Sequence, residues 1–554
     1  MYPYDLGTYS CPVTTQNPEA QLWFDRGLIW TYGFNHDEAI ACFQKAAKAD
    51  PNCAMAHWGI AYAAGPNYNM PWELYDEKGR AEALAKAFDA AQRAQALSAP
   101  CTAEERALIG ALSARYPQRD ICDGMAAWDD AFAVTMRDVL RRFPDHLDIR
   151  SVTAESMMTR TPWKMWDLVT GDPAQGADTV ACRRVLEDSF DRLPASWRHP
   201  GLLHLYVHLM EMSPWPELAL RHGDVLRTLV PGAGHLVHMP THIDVQCGNY
   251  QDVVFWNERA VAADEAYFDR EGAFNIYTGY RHHNYHFVIY GAMFLGQIEP
   301  ARRALKGMEA TTPEALLRVQ SPPMADFFEN SMSFLPHVLV RFGRWEEAIG
   351  LDLPEDQNLY CTKTAYVLYA RTVAYAALGQ VAQAEASEAA FLEACDRVPD
   401  TRLSHNNKVV DLLAIAKHMA RGEILYRKGD FDQAFAELRR CVHLEDSLPY
   451  DEPWGWMQPS RHALGALLFE QGHIAEAEQA FREDLGLGGN IPRVQVHPGN
   501  VWALRGLYDC LRARDETIEI LHIKAQLDRA LARADTDVAA ACFCAQAAMG
   551  CCSE

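Results

Sequence analysis

Hydrophobic positions recur along most of the chain at intervals of three and four residues, which is the spacing of an amphipathic helix. Residues 80–97, 102–116 and 124–143 show this pattern clearly. An alternating apolar and polar pattern, which would predict a strand, persists nowhere for more than a few residues. The longest stretches without a helical pattern are 160–180 and 445–458. The pattern therefore predicts an all-α protein.

Three segments share one spacing of small and aromatic side chains: residues 20–51, 416–441 and 459–485. In the last of them, Gly465 lies where two helices approach closely, and Phe481 fills the space between neighbouring pairs. This spacing is typical of the helix-turn-helix of a tetratricopeptide repeat. Weaker copies occur at 234–264, 336–352 and 366–395.

Stacked helix pairs of this kind form an α-solenoid, a right-handed superhelix whose concave wall comes mainly from the first helix of each pair. The sequence therefore predicts an all-α, tetratricopeptide-type solenoid. Five segments are predicted: 1–60, an N-terminal repeat with its lead-in; 61–198, degenerate helical pairs; 199–296, central histidine-rich repeats; 297–535, C-terminal repeats; and 536–554, a cysteine-rich tail.

The chain of 554 residues is acidic, since 51 basic residues against 74 acidic ones give a net charge of −23. This balance argues against nucleic acid or an anionic membrane surface as a partner. No apolar run approaches the roughly 18 residues of a membrane span, and the N-terminus lacks the regions of a secretory signal. We therefore expect a cytoplasmic protein, and a homodimer through the terminal repeats at 485–535 stays open.

The 15 cysteines show no framework spacing, so we expect reduced thiols, most of them small core residues. Four of them lie close together near the C-terminus: Cys542, Cys544, Cys551 and Cys552. A soft metal could bind there, but a frayed tail is the favoured interpretation.

Ten of the 21 histidines fall between His199 and His286. On helices predicted near 200–213, 234–247 and 278–295 they form stripes, because positions three, four or seven apart share one helical face. The stripes are His204, His208 and Glu211; His235, His238 and His242; and His282 with His286. The repeat register places the second stripe on the concave wall.

Imidazoles and a carboxylate that converge from several helices are what a divalent transition metal requires. The eight candidate ligands exceed the four of a closed zinc site, so we expect two ions, or one ion with open positions beside acid–base residues. Zn²⁺, Fe²⁺, Mn²⁺ and Cu²⁺ all suit these donors. A polar histidine network without metal, and unrelated core and surface histidines, are the alternatives.

Six motifs occur together in the chain: TYGFNHDEA, CAMAHWGIAYAAGPNYNMPW, HLYVHLME, GHLVHMPTHI, YRHHNYHF and HALGALLFEQGHIAEAEQAFREDL. With them the chain resembles, up to about residue 512, a widespread and functionally uncharacterised group of tetratricopeptide-repeat proteins with a histidine-rich central region. The resemblance implies a fold and a shared site but no reaction. The site positions that it implies are His204, His208, Glu211, His235, His238, His242, His283 and His286.

The resemblance adds His283, which the helical period turns about 100° away from His282. Both residues are retained as candidates. Glu211, His283 and Tyr280 are the candidate catalytic residues, because a carboxylate or an unligated imidazole can act as a base and a tyrosine can orient an anionic substrate.

The favoured hypothesis is a metal-dependent enzyme that acts on a small molecule in the concave groove. Hydrolysis or elimination is favoured because each needs only Lewis acidity. A histidine-ligated iron or copper enzyme that activates oxygen is a second hypothesis. A non-catalytic scaffold that binds peptides or proteins is the third, since this fold commonly serves that role. No phosphate loop, dinucleotide turn or nucleophile motif occurs in the sequence.

Overall fold

The computed structural model describes residues 2–489 and 491–545 and divides the chain into two compact units. The first unit comprises the chain up to Ile243 together with Arg259–Arg270. The second comprises Asp244–Glu258 and the chain from Glu271 onward. This division is coarser than the five predicted segments, whose boundaries stay predictions.

The first unit consists of helices connected by turns, by longer loops such as 159–178, and by a few short 3₁₀ segments. Its helices are α1 (Pro18–Tyr32), α2 (His36–Ala49), α3 (Ala54–Ala64), α4 (Glu77–Leu97), α5 (Ala103–Arg115), α6 (Ala126–Arg142), α7 (Leu147–Met158), α8 (Thr179–Arg192), α9 (Pro200–Met210), α10 (Leu220–Leu229) and α11 (Gly234–His238). The 3₁₀ segments are Trp72–Leu74, Pro194–Arg198 and Pro216–Ala219. Two further helices, α12 (Pro240–Cys247) and α13 (Tyr250–Glu271), contribute residues to both units.

The second unit is also built from helices, with one small hairpin of two-residue strands. Its helices are α14 (Thr278–Leu295), α15 (Ile298–Ala310), α16 (Glu314–Leu317), α17 (Met324–Phe328), α18 (Phe334–Arg341), α19 (Trp345–Ile349), α20 (Cys361–Ala377), α21 (Val381–Cys395), α22 (Val409–Arg427), α23 (Phe431–Asp446), α24 (Ser460–Glu470), α25 (Ile474–Asp484), α26 (Val501–Ala513) and α27 (Glu519–Leu531). The strands are β1 (Leu403–Ser404) and β2 (Asn407–Lys408), which pair antiparallel, and the 3₁₀ segments are Glu329–Ser333 and Arg493–Gln495.

Helical hairpins in both units pack by inserting one aromatic ring between two glycines. In the first unit a Cβ atom on Gly27 or Gly59 would lie 2.5–2.7 Å from the ring of Phe43. In the second unit Phe481 of α25 occupies the same place between Gly465 and Gly506. The close approach requires glycine, because any side chain there would overlap the ring. The prediction of an all-α fold of tetratricopeptide-type hairpins is confirmed.

Helix boundaries near the histidines differ from the prediction at one point. The sequence predicts one helix over 234–247, whereas the structure contains two, α11 and α12, with Met239 between them. The physical reason is Pro240, which has no N–H to continue the helical ladder. The carbonyl of His235 still accepts the N–H of Met239, at 2.9 Å.

The C-terminal segment is packed as far as Ala545, so the expectation of a frayed tail is wrong for this part. Phe543 is 9 % exposed and its ring lies 5.7 Å from that of Trp502. Cys542 and Cys544 form a disulfide, which corrects the expectation of reduced thiols for this pair. Cys11, Cys122 and eight buried cysteines are free thiols. Cys551 and Cys552 lie outside the described residues.

No helix within residues 2–489 and 491–545 is long and apolar enough to cross a membrane.

Gly59→Ala tests the packing of Phe43 between two glycines. We expect the added methyl group to lower the free energy of unfolding by about 1–3 kcal/mol, because it overpacks a filled contact. Gly110→Ala is the matched control, since Gly110 is an exposed helical residue whose added Cβ would meet nothing within 4 Å. Gly110→Ala should raise the free energy of unfolding by about 0.5–1 kcal/mol. Urea unfolding of both variants measures the difference, and equal effects would contradict this packing.

Candidate metal centre

Six of the predicted ligands lie together in the interior of the first unit. They come from α9, its C-terminal boundary, α11 and α12, and each is at most 3 % exposed. The six are His204, His208, Glu211, His235, His238 and His242. Three helices therefore place five imidazoles and one carboxylate together in the buried interior of the first unit.

The carboxylate of Glu211 fixes the tautomers of two imidazoles. Its Oε1 lies 2.9 Å from Nδ1 of His208, and its Oε2 lies 2.5 Å from Nδ1 of His242. A carboxylate can only accept, so both Nδ1 atoms carry the proton and donate it. The lone pair of each ring is consequently on Nε2, on the side away from Glu211.

His204 is oriented in the same way by a main-chain oxygen. Its Nδ1 lies 2.7 Å from the carbonyl oxygen of Tyr32, at the end of α1, and must donate to it. Its Nε2 therefore also carries a lone pair. An oxygen acceptor behind the ring is the usual arrangement for a histidine that ligates a metal, because it sets the ring orientation and raises the basicity of the free nitrogen.

The Nε2 atoms face one another. His204 Nε2 lies 3.1 Å from His235 Nε2, and His238 Nε2 lies 2.7 Å from His242 Nε2. Nε2 of His204 and Nε2 of His242 are both acceptors. The facing nitrogens of His235 and His238 must therefore either donate a hydrogen bond to them or share a bound cation with them. Within the described part of the chain, Nε2 of His208 has no hydrogen-bond partner.

Burial keeps three of the five imidazoles neutral. It lowers the pKa of His208 to about 3. It also lowers the pKa values of His204 and His235 well below their ordinary value, and the neighbouring imidazoles add to this effect. A neutral imidazole is the form that binds a metal, so these three rings suit a cation.

Phe34 covers three of the imidazoles. Its ring centroid lies 4.6 Å from that of His204, 5.6 Å from that of His235 and 5.8 Å from that of His208. Phe34 is the second of the three residues in the turn from α1 to α2, and its φ is 55°. The corresponding turn residues of other hairpins are glycines with φ of 72–81°, namely Gly379, Gly429 and Gly472.

A non-glycine residue in the left-handed region costs about 1–2 kcal/mol of backbone energy, so Phe34 adopts this conformation at a cost in stability. Tyr68 packs on the cluster as well, with its ring 4.9 Å from that of His208. Neither aromatic residue was predicted to belong to the site. The available signal was the motif TYGFNHDEA, in which phenylalanine occupies the glycine position of the repeat turn.

The remaining predicted residues lie on α14, in the second unit. Nε2 of His282 lies 2.7 Å from the hydroxyl of Thr312, and burial lowers the pKa of His282 to about 3. His286 stacks on Phe334 with ring centroids 4.3 Å apart. His283 is 8 % exposed, and its ring centroid lies 4.7 Å from that of His405. Tyr280 is half-buried, with its ring 5.2 Å from that of Tyr277.

The convergence of all three stripes on one space thus stays a prediction. For Glu211, the geometry within the first unit places the carboxylate behind two imidazoles, where it orients them.

A second buried histidine network shows what fully hydrogen-bonded imidazoles look like in this protein. In the second unit, the two oxygens of Asp484 accept from His462 Nε2 and His497 Nδ1, both at 2.8 Å. Arg341 donates to the other nitrogen of His462 at 2.8 Å, and the hydroxyl of Tyr290 lies 3.0 Å from Nε2 of His497. Every ring nitrogen in this network has a partner of another chemical type, unlike the facing Nε2 atoms in the first unit.

Comparison with known proteins bears on the fold. Residues 20–53 match the model of the tetratricopeptide repeat, and this range contains the hairpin of α1 and α2. The chain contains a tetratricopeptide repeat. No curated protein gives a significant match to its sequence.

Two solved structures are similar to this chain at low identity. The APC/C hetero-tetramer Cut9–Hcn1 gives 14 % identity over 92 % of this chain and 76 % of that chain, with a TM-score of 0.31. The complex of Naa15/Naa10 bound to HypK-THB gives 13 % identity over 93 % and 71 %, with a TM-score of 0.23. Neither score supports an inference about the function of this chain.

Phe34→Gly tests whether the aromatic ring belongs to the site. Glycine would relieve the backbone penalty, but the loss of the buried ring costs about 3–5 kcal/mol, so we expect a net loss of about 2 kcal/mol in the free energy of unfolding. Asp515→Gly is the matched control, because Asp515 has φ of 56° in an exposed turn and covers no cluster. It should leave stability unchanged or raise it. Stabilisation by Phe34→Gly would show that the ring contributes nothing.

Proposed function

We propose that the first unit binds a divalent transition metal through Nε2 of His204, His208 and His235. The observation that carries this proposal is the orientation of His204 and His208, whose Nδ1–H groups are held by oxygen acceptors. Ligand atoms of the three histidines lie within 4.8 Å of one another. Nitrogens around a tetrahedral ion with bonds of 2.0–2.1 Å are roughly 3.3 Å apart, so the separation of 3.1 Å between His204 and His235 suits shared ligation.

His238 and His242 supply a second pair of facing nitrogens. Their separation of 2.7 Å is shorter than two ligands of one ion would have, and it matches a hydrogen bond from His238 to His242. We assign this pair to proton transfer beside the metal rather than to ligation of the same ion. Glu211 then acts as a positioning residue, since its two oxygens hold one ring of each set.

The reaction that this arrangement supports best is hydrolysis of, or elimination from, a small molecule. Three histidines leave positions open on the metal, as in catalytic rather than structural zinc sites. When bound, the ion supplies Lewis acidity to an oxygen of water or substrate. The pair of His238 and His242 can hold a proton at Nε2 and pass it on, because both rings are buried and share that proton.

Two other functions each have an observation in their favour. An iron or copper enzyme that activates oxygen is favoured by the donor set, in which imidazoles face inward and the carboxylate lies behind them. A scaffold with a structural metal is favoured by burial, since no member of the cluster is more than 3 % exposed.

Glu211→Gln tests the positioning of the ligands. A carboxamide offers one acceptor where the carboxylate offers two, so one of His208 and His242 loses its fixed tautomer. We expect the affinity for Zn²⁺, measured by competition with a chromogenic chelator, to fall 10- to 100-fold. Glu388→Gln is the control, because Glu388 is a partly buried helical glutamate of the second unit. Unchanged affinity in Glu211→Gln would contradict the role given to the carboxylate.

Water-proton relaxation separates a catalytic metal from a structural one. In the Mn²⁺-loaded protein, a metal with an open position exchanges its bound water with the solvent and enhances the relaxation rate. We expect an enhancement that is lost in His204→Ala and kept in His522→Ala, since His522 is exposed on α27. Tight binding of Mn²⁺ without any enhancement would favour the scaffold.

A further inference from the structure

A second group of potential ligands lies in the first unit, outside the histidine cluster. It consists of Cys11, His146 and Asp148, whose ligand atoms all lie within 4.8 Å of one another. The three residues line a surface cleft of about 560 Å³, together with Thr8 and Arg198 among others. Thiolate, imidazole and carboxylate in one cluster are the donor types of zinc sites.

The carboxylate of Asp148 is held from behind by three donors. The hydroxyl groups of Tyr9 and Tyr32 each donate to its Oδ1 at 2.7 Å, and Nε2 of His199 lies 3.3 Å from the same oxygen. Its Oδ2 lies 3.9 Å from Nδ1 of His146. Donors crowded on one oxygen orient the carboxylate and leave the other oxygen directed toward His146, as in metal sites whose ligands are fixed by outer partners.

A simpler interpretation is that these residues only begin helix α7. His146 is the residue before the helix, and its Nδ1 accepts the N–H of Ile149 at 3.4 Å. That contact is long for a hydrogen bond and engages the imidazole weakly. Helix capping also does not explain why the thiol of Cys11, 135 residues earlier in the chain, lies beside His146. It does not explain the three donors to Asp148 either.

We propose that Cys11, His146 and Asp148 form a zinc site that is separate from the histidine cluster. Ligands of one Zn²⁺ are roughly 3.3–3.6 Å apart, so ligand atoms within 4.8 Å of one another need to approach by at most about 1.5 Å. As the Zn–S bond forms, the S–H bond breaks and its proton passes to solvent. Thiolate and carboxylate neutralise the ion, which lets it lie at a helix N-terminus despite the positive end of the dipole. The cleft leaves the fourth position to water.

The zinc site is connected to the histidine cluster through one residue. The hydroxyl of Tyr32 donates to Asp148, and the main-chain carbonyl of Tyr32 accepts the Nδ1–H of His204. The site also fastens the N-terminal segment to α7, because Cys11 and Tyr9 both belong to that segment. The proposal does not depend on the function assigned to the histidine cluster.

Titration of the full chain with Co²⁺ tests the zinc site by a signal that the histidine cluster cannot give. Cobalt bound to a thiolate shows a sulfur-to-metal charge-transfer band in the near ultraviolet, whereas imidazole and carboxylate ligands do not. In His204→Ala, which removes the competing histidine cluster, we expect this band to saturate at one equivalent and to disappear when Zn²⁺ is added. It should be lost in Cys11→Ala and Cys11→Ser and kept in Cys122→Ala, because Cys122 is an exposed free thiol.

His146→Ala should weaken Co²⁺ binding at this site at least tenfold, and His204→Ala should leave the charge-transfer band intact. Far-ultraviolet circular dichroism confirms that each variant is folded, and Cys11→Ser provides a near-isosteric replacement. Absence of the band in the unmodified chain would overturn the proposal. A band that survives in folded Cys11→Ser would overturn it as well, since the thiolate would then come from elsewhere.

Discussion

The carboxylate of Glu211 accepts an N–H from two imidazoles at once, and the geometry of the histidine cluster depends on this interaction. It places the protons of His208 and His242 on Nδ1 and turns their lone pairs inward. The carbonyl of Tyr32 does the same for His204. Without these acceptors the rings could adopt either tautomer and satisfy one another with ordinary hydrogen bonds. With them, Nε2 of His204, His208 and His242 lacks a proton, and the proposed cation would bind the lone pairs of His204 and His208.

The sequence predicts a large part of this arrangement because helical periodicity is a local property. Spacing alone places His204, His208 and Glu211 on one face of α9, and the glycine and phenylalanine spacing predicts the hairpins. Spacing cannot reveal that the two oxygens of Glu211 accept from the imidazoles of His208 and His242. That arrangement depends on the rotation of each ring, which is set by contacts with residues far away in the chain.

Other features depend on contacts for which the sequence has no simple signal. The main-chain oxygen of Tyr32 is an acceptor that any residue could supply, so no motif records it. The sequence shows Phe34 at a turn position that is glycine in other hairpins, but the contacts of its ring with three imidazoles depend on the tertiary structure. The sequence has no clear signal that the C-terminal segment is packed, because small and polar residues surround its buried aromatic residue, Phe543.

The measurement that tests the central claim most directly is elemental analysis of the full chain, purified without a chelator or a histidine tag. The account predicts at least one equivalent of a transition metal, with one equivalent fewer in His204→Ala than in the unmodified protein. The exposed variant His522→Ala should keep the full content. A metal content unaffected by His204→Ala, or no metal even after incubation with Zn²⁺, Mn²⁺, Fe²⁺ and Cu²⁺, would contradict the account.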